Sequence, residues 1–87
     1  MQADKNQVTR LLKTARGQLD GILAMVEENR YCVDISNQIM ACEAMLRRVN
    51  KEILSAHMKG CVKQAVESGE GEEKLEELIS LIDKLTK

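Results

Sequence analysis

"YCVDISNQIMACEAMLRRVNKEILSAHMKGCVKQAVE", residues 31 to 67, holds no proline and one glycine, Gly60. Within it Ile35, Ile39, Cys42, Leu46, Val49, Ile53 and Ala56 recur every three or four residues. At that period side chains return to the same side of an α-helix, and the near-heptad form is the seam of a helix lying along a partner helix. One long helix is expected here, with Gly60 a weak point costing about 1 kcal/mol against Ala.

The flanks carry the same signal. Val8, Leu11, Leu12, Ala15, Leu19, Ile22, Leu23 and Val26 form an apolar stripe at helical spacing. The stripe stops at the polar "EENR" (27–30). "SGEG" (68–71) is the strongest breaker in the chain. Beyond it, Leu75, Leu78, Ile79, Ile82 and Leu85 are expected to face inward from a short third helix. The expected fold is all-α, one domain over residues 1–87 with helices at roughly 5–28, 31–67 and 72–86.

Composition agrees. The chain has 87 residues, 44% of them apolar, yet its one aromatic residue is Tyr31 and it has no Phe, Trp or Pro. A core of Leu, Ile, Val, Met and Ala suits interlocking helices, and a helical chain this short commonly completes its core by association. The net charge of −1 excludes a polybasic nucleic-acid binder by composition. Local basic character survives: up to residue 19 the chain carries Lys5, Arg10, Lys13 and Arg16 against Asp4 alone, whereas Glu70, Glu72, Glu73, Glu76 and Glu77 crowd the other end.

"MQADKNQVTR" lacks the apolar run of a signal peptide, and no stretch approaches a membrane span. A cytoplasmic location with no membrane partner is expected, in which the three cysteines are thiols or metal ligands rather than disulfides. An enzyme is not expected: there is one histidine, no His–carboxylate spacing and no Gly-rich phosphate loop.

The chemistry concentrates at Cys32, His57 and Cys61. With Ile35 at zero and about 100° per residue, they fall near +60°, +40° and +80°, along one edge of the seam. In one continuous helix Cys32 and His57 stand about 37 Å apart and cannot meet. Two copies packed antiparallel about a dyad near Met45 and Leu46 would bring Cys32 of one against His57 and Cys61 of the other, twice over. Two thiolates and an imidazole form a soft, three-coordinate set that suits Cu(I). Zinc with water in a fourth position is the alternative, and an incidental His–Cys pair on a helix face is the plainer reading. Cys42, between Ile39 and Leu46 in the seam, reads as packing. So do Met25, Met40, Met45 and Met58.

"GQLDGI" (17–22), "RYCVDI" (30–35) and "HMKGCV" (57–62) together resemble the CsoR/RcnR family of small metal-responsive transcriptional repressors, over about residues 6–83. The resemblance implies an all-α dimer built on antiparallel second helices, two such dimers forming a tetramer. It implies one Cu(I) per chain, held by Cys32 of one chain with His57 and Cys61 of its partner. Copper binding would weaken the hold on operator DNA and release genes for copper export or sequestration.

It further implies that Tyr31 and a third-helix glutamate support the ligands from behind; by spacing that glutamate is Glu77, with Glu73 one turn earlier as the substitute. For DNA, Arg48 matches a basic position of the second helix, with Arg47 and Lys51 nearby, and Arg10, Lys13 and Arg16 supply the charge on the first. The chain departs from the family where Leu11 and Thr14 replace usual arginines, and at Arg16, which replaces a residue usually acidic or polar. There is no helix-turn-helix signal, so phosphate contacts and DNA shape are expected to dominate.

Within the family, nickel and cobalt sensors use further histidines, which this chain lacks. Formaldehyde sensors lack a cysteine at the position of Cys61, and persulfide sensors lack the histidine. Copper therefore leads, a persulfide-sensing repressor using Cys32 and Cys61 follows, and a metal-binding helical protein without DNA function is third.

Overall fold

The computed structural model describes residues 1–69 and 71–86, without the side chains of residues 85 and 86. Leu85, expected to face inward, lies outside that description. Helix α1 runs Lys5–Glu27, α2 Cys32–Ser68 and α3 Gly71–Thr86. No strand occurs among the described residues. The all-α expectation holds, with helix ends moved by a residue or so. The chain divides into two compact units, Lys5–Asn50, and Met1–Asp4 with Lys51–Lys87; α2 runs uninterrupted through both.

In the first unit, α1 ends by a specific device. Asn29 adopts the left-handed conformation (φ 53°), its N–H bonds to the Val26 carbonyl (3.1 Å), and the Arg30 N–H reaches back to Met25 (3.0 Å). This closes the last turn with an Asn, which tolerates that region better than most residues. The Tyr31 carbonyl then accepts the first backbone bond of α2, from the Ile35 N–H at 3.1 Å.

Only one edge of each apolar stripe in this unit is buried. With Val8 as zero, Leu11, Ala15 and Ile22 lie near −60°, −20° and −40°, and all four are buried; the angles are about 100° per residue. Leu12, Leu19 and Leu23, near +40°, +20° and +60° by about the same rotation, remain exposed. On α2, Cys42 and Val49 (about −20° and −40° from Ile35) are buried, while Ile39 and Leu46 (about +40° and +20°) are exposed. The two buried edges meet: the Cys42 thiol lies 3.8 Å from the Ala15 carbonyl. Cys42 is therefore packed.

In the second unit, α2 stops at Gly69, whose positive φ of 77° accompanies an N–H bond to the Ala65 carbonyl at 2.9 Å. α3 begins with Glu72 and Glu73 and has Lys84 in its last turn, each charge placed to offset the helix dipole. The expectation that α3 turns its whole apolar stripe inward fails. Leu78 is half-buried, but Leu75, Ile79 and Ile82 are exposed. A 16-residue helix against one stretch of α2 covers a single line of side chains, and the stripe is wider than that line. At Gly60 a β-carbon would sit 3.0 Å from Cδ of Gln2, so the first residues of the chain lie over this part of α2.

Candidate metal centre

α2 positions His57 and Cys61 one turn apart, so both project from the same face. Cys61 is buried and His57 half-buried. Nε2 of His57 stands 3.3 Å from Sγ of Cys61. α3 adds Glu77, whose Oε1 is 2.6 Å from that same Nε2 and 3.7 Å from the Cys61 sulfur. The three ligand atoms lie within 4.8 Å of one another, and no other such group of His, Cys, Asp and Glu occurs among the described residues.

The contacts have electrostatic consequences. The hydrogen bond from His57, helped by the positive charge of Lys74, holds the Glu77 carboxyl below its ordinary value against the opposing effect of desolvation. Lys74 Nζ lies 3.8 Å from the other carboxylate oxygen, Oε2. Glu77 is thus pinned from both sides, with Oε1 turned toward His57.

The remaining sequence-predicted residues are spread out. Cys32 is the first residue of α2 and is exposed; it is not among the three converging groups. Tyr31, at the α2 N-terminus, is 67% exposed. Glu73 is exposed and takes no part in the group, so of the two glutamates expectation offered, α3 turns Glu77 to His57. Lys74 escaped sequence reasoning altogether; its only signal was the i,i+3 spacing to Glu77.

Arg10, Lys13, Arg16, Arg47, Arg48 and Lys51 are all exposed. Arg10 is hydrogen-bonded to Gln7. The two positions where the family usually has arginine take different forms. Leu11 is part of the core, whereas Thr14 is exposed and returns its hydroxyl to the Arg10 carbonyl at 3.1 Å. No helix among the described residues is long and apolar enough to cross a membrane.

The donor set of one thiol, one imidazole and a carboxylate is that of a soft or borderline metal site, and the residues brought together fit such an ion. Comparison with known proteins points the same way. The chain is 44% identical over 84 residues to the copper-sensing transcriptional repressor CsoR of Bacillus subtilis (strain 168), a match covering 97% of this chain and 83% of that protein. Its structure resembles that of the copper-sensing repressor CsoR with Cu(I) from Geobacillus thermodenitrificans NG80-2, with a TM-score of 0.83 and 39% identity over 100% of this chain and 94% of that one. It also resembles the nickel-responsive transcriptional regulator InrS, with a TM-score of 0.87 and 32% identity over 98% and 96%. The family model of metal-sensitive transcriptional repressors matches residues 4–84. The chain is a member of the metal-sensitive transcriptional repressor family.

Proposed function

We propose that this protein is a Cu(I)-responsive repressor of the cytoplasm, a single three-helix domain that binds operator DNA in its metal-free form as a homodimer or homotetramer and lets go when copper is bound. The observation that carries the reading is the open edge of α2. Ile39 and Leu46 are exposed there, and Cys32, His57 and Cys61 fall on the same side of the helix, within about 60° of them. An apolar edge left uncovered along a helix seam fits a second copy of the same helix. Antiparallel packing then supplies Cys32 to the pair formed by His57 and Cys61, in agreement with the similarity to copper-sensing repressors.

Cys32 of one copy, with His57 and Cys61 of the other, would hold Cu(I), which supplies a soft centre for two sulfurs and a nitrogen. The chain's own contribution is orientation. With its Nε2–H donated to Glu77, His57 keeps the Nδ1 lone pair for ligation, and the carboxylate fixes the ring. Tyr31 adjoins Cys32 in sequence and closes the α2 N-terminus beside it. Arg10, Lys13 and Arg16 on α1 and Arg48 on α2 contact DNA phosphates, repeated once per copy. Regulation is a coupling free energy between the metal and DNA sites, typically about 1–3 kcal/mol, and operator DNA weakens copper binding by the same factor.

The test is an anaerobic Cu(I) titration against a competing chelator, repeated with Cys32→Ala and with operator-like DNA bound. One tight Cu(I) per chain is expected, lost in the variant and weakened by DNA. Weak binding in the parent sinks the copper reading and leaves Cys32 and Cys61 to persulfide chemistry. In His57→Ala some affinity remains through two thiolates, but DNA release is lost; release as in the parent would contradict the role of His57.

A further inference from the structure

We propose, on the reading of the chain as a copper-responsive repressor, that residues 1–4 are a strap that transmits the state of the α2 turn at Gly60 to the DNA-contacting helix α1. The seat of the strap is marked by a glycine. Gly60 is the one glycine of α2, in a helix interior that disfavours it. A β-carbon there would lie 3.0 Å from Cδ, 3.2 Å from Oε1 and 3.4 Å from Cγ of Gln2, so the amide end of that side chain lies across the bare Cα. At the other four glycines nothing comes within 4 Å of such an atom. Its φ is not positive, so Gly60 answers to the close approach of another segment and not to a turn.

The strap is attached at one end and lightly held at the other. Met1–Asp4 belong to one compact unit with Lys51–Lys87, yet Asp4 is bonded directly to Lys5, the first residue of α1. Ala3 and Asp4 border an open groove of about 460 Å³ whose other wall includes Lys51, Ser55 and Lys59. Gln2 is exposed and Ala3 half-buried. A segment with so little buried surface belongs to the low-stability end of a fold, where a small change in its seat releases it.

The seat lies where such a change arises. Gly60 stands between His57 and Cys61, within the single turn that carries both. When those two side chains are drawn to a common centre with Cys32 of another copy, both ends of that turn are pulled. The residue with the widest backbone freedom takes up the strain, and that residue is Gly60. Its movement withdraws the Cα from the Gln2 amide, and the strap lifts. With the strap seated, the start of α1, which leads to Arg10 and Lys13, meets DNA already ordered. With the strap lifted, that end must be ordered on binding, which weakens the hold.

Two variants of the full chain test the strap. Gln2→Gly removes its contact without touching α2. Gly60→Leu fills the seat with a good helix former; a single methyl is too small a block, because the Gln2 amide can shift aside. The readouts are NMR order parameters of residues 2–4 and affinity for a duplex that the parent selects from a random pool. In the metal-free parent the order parameters should approach the rigid value of about 0.85, and anaerobic Cu(I) should lower them below about 0.6. Both variants should keep the parent's helicity by circular dichroism and its Cu(I) stoichiometry. Both should start below about 0.6 without metal and bind the duplex at least ~5-fold more weakly. Cu(I) should then reduce their remaining affinity by a smaller factor than it does the parent's.

Unchanged duplex affinity in both variants would overturn the strap and leave the repressor reading intact. So would residues 2–4 that stay rigid in the parent while Cu(I) releases it from DNA. A parent that selects no duplex defeats the repressor reading and the strap with it. A parent that binds DNA but takes up no Cu(I) defeats the copper reading alone, and the duplex affinities of the two variants then decide the strap.

Discussion

At the scale of single residues, Cys42 and Glu77 show how burial sorts similar groups into different tasks. The Cys42 thiol is buried against the Ala15 carbonyl, with no second ligand atom near it among the groups that could hold a metal. Cys42→Ala should cost about 1 kcal/mol of stability by denaturant unfolding and leave Cu(I) stoichiometry unchanged; a lost copper would make it a ligand after all. Glu77 is half-exposed, so its bond to His57 is screened by water. Glu77→Gln should therefore leave the metal-free protein's melting curve almost unchanged. A larger loss in the melting curve would mean that the contact holds α3 in place rather than serving the metal.

At the scale of the helices, Gly60 and the exposed edge of α2 are the informative features. Gly60 sits inside a 37-residue helix, where Ala would be preferred by about 1 kcal/mol. The obstacle to a β-carbon there is the end of the Gln2 side chain, which is free to move. Gly60→Ala should accordingly stabilise the protein by about 0.5–1 kcal/mol; destabilisation would show that the first residues must stay seated on α2. Leu46→Glu tests the edge. In a lone chain a surface change like this is worth within about ±0.5 kcal/mol, but in an assembly seated on that edge it buries a charge. Sedimentation should show the parent as a dimer or larger and the variant as a monomer; equal masses would remove the second copy from the copper site.

For the whole molecule, the uneven charge decides how DNA is held. A net charge of −1 gives no general attraction to DNA, so in the proposed repressor affinity comes from the exposed basic side chains of α1 and α2, repeated by association. Operator affinity should fall steeply and linearly on a log–log plot against salt. Removing one of Arg10, Lys13, Arg16 or Arg48 should lower that slope by about 1 for each phosphate the side chain neutralises. A slope unchanged in all four variants would move the DNA face elsewhere. Leu11 has no place in this set, because it belongs to the core.

By itself the sequence determined the helices and the identity of the reactive side chains. Period, the absence of proline and the Ser-Gly-Glu-Gly break fix where a chain turns helical, because those signals act within a few residues. The spacing of His57 and Cys61 fixes a shared face for the same reason. The sequence also carried the family's pattern and a glutamate at the right distance. What it could not decide was which edge of each apolar stripe is covered. Leu11 and Leu12 are equally apolar, and only the packing of α1 on α2 buries one and leaves the other exposed. The same holds for Glu77: one glutamate among several on α3, it meets Nε2 of His57 because α3 folds back onto α2. Contacts between residues twenty positions apart depend on that return path, which no local period encodes.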